Sequence, residues 1–293
     1  MLTDDELAHF DTFGFVVRRA MLSSDEVRSL AAELEAELDD AYGGSDGRAR
    51  QWALMSTART PAFAALVEDP RFLGIAEQIM PGETLGIAAD ASRYAGDTLW
   101  HGDTTGPAQW GVKFLFYFEP LRAENGALRV IPGSHREPYH SRVQRFLRGS
   151  SSEERVPAFV FRAEPGDVFV YDLRLLHASF GGRPGRAGGS VFYFHDPRTA
   201  EEESALREQD RLSRAHVRDF RGRGHIDPTS RSPLLDESWI ADASMSATRQ
   251  RWIARLRELG LLDAVTAPLD ERDRLPHRAP GIASDQPDDA PKR

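Results

Sequence analysis

Histidine and aspartate stand two residues apart in Trp100-His101-Gly102-Asp103. On an extended chain that spacing puts both side chains on one face. An imidazole and a carboxylate so placed can reach one cation. A second histidine would complete the two-histidine, one-carboxylate set that suits iron(II) with open coordination positions. An isolated pair of this kind is more often satisfied by local hydrogen bonds, so the third ligand decides the matter. His177 follows the apolar run Val168-Phe169-Val170-Tyr171 and precedes a glycine-rich turn. His195, in Phe192-Tyr193-Phe194-His195, is the rival, ranked lower because no arginine follows it at a suitable distance.

A metal of this kind would need a counter-charge for its cosubstrate. Arg183 and Arg186 follow His177, and Arg186 stands just before the strand-like run 189–194. A guanidinium can clamp the distal carboxylate of a 2-oxo dicarboxylate in bidentate fashion, while the oxo group and C1 carboxylate chelate the metal. Ser179 shares a face with His177 if the strand continues, and could donate to the same carboxylate. Lys113 is the only lysine before the C-terminal tail. It either snorkels from its strand or lines the cosubstrate pocket.

The elements that must hold these residues follow from hydrophobic periodicity. Residues 3–13 predict a short helix with Thr3 and Glu6 at capping-box spacing. Residues 14–18 predict a strand. Ser23 or Ser24 caps a helix running to about Tyr42, and 61–80 predict another. From Thr84 the texture changes to six or so short apolar runs between turns over about 115 residues. Without regular intervening helices, these predict an antiparallel barrel or sandwich. Residues 138–156 are polar and rich in Arg and Ser, which predicts a mobile lid. Helical patterning returns from Thr199. The tail after Ala267 has little to bury and reads as disordered.

Composition narrows the function. The chain has 293 residues and no cysteine, so disulfide scaffolds, thiolate zinc and cysteine nucleophiles are excluded. Acidic residues number 46 against 37 basic, for a net charge of −9, which argues against a polyanion partner. No run approaches a membrane-spanning helix. The acidic opening Thr3-Asp4-Asp5-Glu6 is unlike a signal peptide, so a cytoplasmic location is the expectation.

At the metal-type residues the sequence resembles the phytanoyl-CoA dioxygenase family of iron(II)/2-oxoglutarate oxygenases. Four segments carry the likeness: LTDDELAHFDTFGFVVRRAMLSSDEV, LWHGDTTG, FEPLRAENGALRVIPGSHR and GDVFVYDLRLLHASFGG with a following Arg. They span roughly residues 3–197. The NGAL–PGSH stretch is the most specific, and its place between the HxD and the second histidine makes chance a poor explanation.

The resemblance implies a mainly β fold with flanking helices, a double-stranded β-helix or cupin-like jelly-roll. It implies one oxygenase domain over residues 1–266, with a β core about 84–197, helical flanks and lid at 1–80 and 199–266, and a disordered tail at 267–293. His101, Asp103 and His177 match its iron ligands. Arg186 best matches the arginine holding the C5 carboxylate of 2-oxoglutarate, Ser179 a serine that assists. The interval from His177 to Arg186 is shorter than the family's, which leaves Arg183 open as the clamp. Asp103 keeps the carboxylate that related halogenases replace, which disfavours halogenation. His135, Asn125 and Gly126 are read as turn-shaping residues.

The implied activity is that of an iron(II)/2-oxoglutarate-dependent dioxygenase. It uses O2 and oxidises an aliphatic C–H of a small molecule, with hydroxylation the first expectation and desaturation, cyclisation or epimerisation open. Of the basic residues only Lys113 and Lys292 are lysine, an arginine bias that points by association to bacterial secondary metabolism. Neither nucleic acid nor membrane is expected as a partner, and oligomeric state is not legible. The rivals are a non-oxidative jelly-roll metal-binding protein or isomerase, and a pseudo-enzyme without 2-oxoglutarate turnover.

Overall fold

The computed structural model describes residues 1–45, 47, 50–80, 82, 84–94, 96–104, 109–149, 156–222 and 235–262, without the side chains of 148–149 and 213–222. Two antiparallel sheets form its centre. The larger runs, in spatial order, β1 (Phe15–Arg18), β8 (Val168–Asp172), β5 (Gly111–Tyr117), β10 (Arg186–His195), β3 (Thr84–Tyr94) and β2 (Gln51–Leu54). The smaller runs β4 (Thr98–His101), β9 (His177–Ser179), β6 (Leu128–Val130) and β7 (Phe159–Val160). Neighbouring strands come from distant parts of the chain. This is the jelly-roll expected from the sequence.

The strand β10 separates the two faces of the larger sheet. Side chains alternate along it. The Arg186 guanidinium reaches Ser179 on the smaller sheet, so Arg186, Gly188, Ser190 and Phe192 face the space between the sheets. Gly189 faces out, where a Cβ would lie 2.6 Å from the Phe63 ring. That ring belongs to α3 (Pro61–Leu66), one of the helices covering the outer face.

Local chemistry explains the helix ends. The helix α1 (Asp4–Phe13) has the capping box of Thr3 and Glu6, and Gly14 at φ 84° turns the chain into β1. The helix α2 (Ser24–Tyr42) has the same device from Ser23 and Glu26. The stretch expected to be helical over 61–80 is two helices, α3 and α4 (Pro70–Ile79). Pro70 has no N–H to continue a helical ladder, and Asp69 caps the new start by accepting from the Arg71 amide at 2.8 Å.

Two further differences from expectation have physical causes. Residues 139–149, within the expected polar lid for which no element was read, form a helix, α5 (Tyr139–Gly149). Val143 and Leu147, one turn apart, bury against Trp100, Ile131 and Leu176, an apolar stripe hidden among arginines and serines. The edge strand β2 was not expected. Its four residues give too short a period to read, and pairing with β3 decides it. Residues 150–155 of the expected lid and the tail from 263 lie outside the described residues.

Among the described residues, three helices follow the core: α6 (Ala200–Gly222), α7 (Glu237–Ile240) and α8 (Ala247–Glu258). Trp252 of α8 lies flat on Gly86 of β3, where any Cβ would sit 2.4 Å from the ring. Among the described residues no helix is long and apolar enough to cross a membrane.

Candidate metal centre

His101 ends β4 and His177 begins β9, and the two are direct partners across that ladder. Strand register therefore unites them, and their ring centres lie 4.2 Å apart. Asp103 follows on a turn pinned by its own amide, which donates to the Leu173 carbonyl at 2.8 Å. Asp103 Oδ1 is 3.8 Å from His101 Nε2 and 3.5 Å from His177 Nε2. One ligand atom from each of the three lies within 4.8 Å of the others.

Hydrogen bonds set the tautomers. His101 Nδ1 is 2.7 Å from the Leu99 carbonyl, and His177 Nδ1 is 2.8 Å from the Leu175 carbonyl. A carbonyl only accepts, so each Nδ1 carries the proton and each Nε2 presents a lone pair to the shared space. Burial, helped by His177 alongside, pushes the His101 pKa down to about 3, which keeps the ring neutral. Burial opposes the Asp103 charge, yet the Lys113 ammonium beside it holds that carboxyl well below the usual range. Two imidazole nitrogens and one carboxylate oxygen form a donor set that fits iron(II).

The carboxylate's other oxygen is also held. Tyr171 Oη donates to Asp103 Oδ2 at 2.9 Å, and Lys113 Nζ stands 3.5 Å from the same oxygen. Burial, then the Asp103 charge, raises the Tyr171 pKa far above its ordinary value, so the phenol remains a donor. Gln209 of α6 donates to the Asp103 carbonyl at 3.1 Å. Lys113 thus turns inward to the site and does not snorkel to the surface.

Arg186 occupies a fitted slot and is only 1% exposed. Nη1 donates to the Gly126 carbonyl at 2.6 Å, Nη2 donates to Ser179 Oγ at 3.1 Å, and the guanidinium lies over Tyr94. Nε is buried without a partner. Gly126 shapes the slot: a Cβ there would fall 1.8 Å from Arg186 Nη1. Arg183 is elsewhere, with its side chain 62% exposed and paired with Glu119. The shortened interval from His177 therefore still delivers Arg186 to Ser179.

Two further histidines weighed from the sequence, His195 and His135, lie apart from this cluster. His195 stacks on Trp110 with ring centres 5.2 Å apart. His135 packs against Gly14 and meets the Asp11 carbonyl at 3.2 Å through Nε2. Its neighbour Ser134 accepts from the Leu176 amide at 2.9 Å, which steadies the approach to His177. Sequence reading missed Tyr171 and Gln209. Tyr171 carried a signal, a hydroxyl at an inward position of an otherwise apolar strand. Gln209 carried none.

Comparison with known proteins agrees with this geometry. The model of the family described as phytanoyl-CoA dioxygenase (PhyH) matches residues 10–185. An ectoine dioxygenase of Bordetella parapertussis is 25% identical over 214 residues, covering 66% of this chain and 67% of its own. The multifunctional dioxygenase prhA of Penicillium brasilianum is 23% identical over 203 residues, covering 60% of this chain and 66% of its own. Among solved structures, HygX from Streptomyces hygroscopicus, with nickel and 2-oxoglutarate bound, has a TM-score of 0.56 at 22% identity. That match covers 68% of this chain and 93% of HygX. EctD from S. alaskensis with bound Fe has a TM-score of 0.52 at 21% identity, covering 66% of this chain and 77% of its own. These structures establish the shared fold. With its family match over residues 10–185, the chain belongs to the phytanoyl-CoA dioxygenase family and is an iron(II)/2-oxoglutarate-dependent dioxygenase of a small molecule.

Proposed function

We propose that His101, Asp103 and His177 hold the iron, through the two Nε2 atoms and a carboxylate oxygen. Arg186 and Ser179 take the far carboxylate of 2-oxoglutarate, and Lys113 lines the cosubstrate pocket. The observation that carries this reading is the convergence of two imidazole nitrogens and one carboxylate oxygen within 4.8 Å.

When bound, the iron supplies oxidative decarboxylation of 2-oxoglutarate by O2, coupled to oxidation of a substrate C–H. The chain's own residues bind, orient and exclude water. The Leu99 and Leu175 carbonyls fix both imidazoles as Nε2 ligands. Tyr171 and Lys113 hold one Asp103 oxygen and leave the other to face the histidines. Arg186 Nε–H is a buried donor without a partner, a costly state that an anion in the slot relieves. Ser179 accepts from Arg186, so its own hydroxyl proton is available for the same anion.

The reaction is hydroxylation of an aliphatic C–H in a small metabolite, in the cytoplasm and in bacterial secondary metabolism. Bacterial relatives named as ectoine dioxygenases support a small-molecule substrate. Residues 1–266 act as one domain, since Trp252 and Leu256 of α8 share a core with β3 and β10.

The test loads purified protein anaerobically with iron(II), then 2-oxoglutarate, and follows the metal-to-ligand absorption band. O2 and a metabolite panel are then added and succinate is measured. The band should appear in the wild type and be lost in His101→Ala, Asp103→Ala and His177→Ala. An unchanged band in His177→Ala sinks the ligand assignment.

A further inference from the structure

The chain enters β5 through Gln109-Trp110, a pair that the metal site does not use. Gln109 is only 3% exposed, yet among the described residues neither its Oε1 nor its Nε2 has a hydrogen-bond partner. The indole Nε1 of Trp110 is buried without a partner as well. Both residues line a cleft walled by Phe194, His195 and Pro197, with Glu202 and Leu206 of α6.

The cleft adjoins the metal centre. The Leu173 amide donates to the Gly111 carbonyl at 3.0 Å, and the Leu173 carbonyl accepts from the Asp103 amide at 2.8 Å. One residue therefore separates the start of β5 from the metal-binding turn. Leu206 stands three residues before Gln209, on the same side of α6, and Gln209 donates to the Asp103 carbonyl. One helix face thus borders both the cleft and the metal-binding turn.

Packing alone leaves the amide unexplained. A buried carboxamide unpaired at both ends costs more than a leucine of similar size. Glu202 is committed elsewhere, since its Oε2 accepts from the Arg198 and Thr199 amides. An acceptor and two donors without partners converge between mainly apolar walls, the pattern of a ligand site. All three are neutral, which selects a neutral partner over an ion. The space holds about one water-sized group, so it takes the end of a molecule and not the whole.

We propose that Gln109 and Trp110 form a substrate-recognising subsite, and that the substrate presents a neutral carboxamide or lactam to it. Gln109 pairs its own N–H and C=O with the complementary amide edge, and Trp110 adds a donor for the amide oxygen. This rests on the metal-site reading above.

The test uses protein loaded with iron(II) and 2-oxoglutarate. It is offered small lactams and carboxamides, each beside the lactone or ester that lacks the N–H, and succinate is measured. Amides should stimulate turnover and their ester counterparts should do so far less. Gln109→Leu should raise the half-saturating amide concentration by roughly tenfold or more, the loss of two hydrogen bonds. Trp110→Phe keeps a ring and removes one donor, so its effect should be roughly threefold. Both variants should still form the 2-oxoglutarate absorption band. Gln109→Leu should unfold at no lower a midpoint than the wild type, because it removes an unpaired buried group. Wild-type amide dependence in Gln109→Leu, above all with a lowered midpoint, marks a glutamine that meets only structural water and overturns the proposal. Equal stimulation by the esters, or a panel without one stimulating amide, overturns it too. Failure of the wild type to form its absorption band overturns the metal-site reading itself, which separates the two.

Discussion

Arg183 and Arg186 stand on one short stretch and differ in what surrounds them. Arg183 is exposed on Glu119, where an ion pair contributes little. Arg186 is sealed between Gly126, Ser179 and Tyr94. Arg186→Ala should therefore raise the 2-oxoglutarate dissociation constant by roughly ten- to a hundredfold, the worth of a charge-assisted contact. Iron binding should be largely intact, and Arg183→Ala should do much less. Anaerobic titration of the absorption band measures all three, and a larger effect from Arg183→Ala would reverse the assignment. Tyr171 acts one step further out, through Asp103. Tyr171→Phe keeps the ring and removes the donor to Oδ2, so iron affinity should fall by about 10- to 100-fold, as for other partners of metal ligands. Competition with a chelator reads this, and unchanged affinity would make Tyr171 a packing residue only.

At the scale of elements, the turn before β6 and the start of α2 carry separable tasks. Gly126 sits at φ 93° against the Arg186 guanidinium. Gly126→Ala should cost about 1–3 kcal/mol in backbone strain alone. It should also weaken 2-oxoglutarate binding, because the added methyl displaces Arg186. Denaturant unfolding and band titration would separate the two losses. Glu26 closes the capping box of α2 and pairs with Arg71 of α4. The Arg71 hydrogen bond, against the opposing effect of burial, holds its carboxyl down from 4.5 to about 2. A carboxyl lowered on folding stabilises the native state fully above its unfolded pKa and loses that effect as pH falls through the folded one. The stability gap between wild type and Glu26→Gln should therefore be about 1 kcal/mol or less near neutrality, given its exposure. It should close as pH falls from 4.5 towards 2. A gap that widens on acidification would contradict this account.

For the whole molecule, the question is whether the C-terminal helices belong to the catalytic unit. Trp252 packs on Gly86, behind the sheet whose other face carries Lys113 and Arg186. Trp252→Ala opens a cavity there and should cost about 3–5 kcal/mol. If α8 and the jelly-roll form one cooperative unit, unfolding should stay a single transition at a lower midpoint. A separate early transition, with 2-oxoglutarate binding preserved, would divide the chain into two units.

Local chemistry was legible from residues alone. The capping box at Thr3, a cap at Ser23 or Ser24, and the turn at Asn125-Gly126 each depend on neighbours within a few positions, whereas Asp103 is set by the distant Leu173 carbonyl. A local reading also holds for the short apolar runs of β8 and β10 between turns, and so for the antiparallel β class; the resemblance to a family narrowed it to a jelly-roll. Pairing over long distances was not legible in that way. That His101 faces His177 follows from the register of β4 on β9. Register is set by which faces the whole core buries, since a slip of one residue would turn every side chain to the opposite face. The same reason hid Tyr171 behind Asp103 and the slot that Gly126 leaves for Arg186. Residue types set the chemistry available to this chain, and only the packing of two sheets decided which of its histidines, arginines and carboxylates meet.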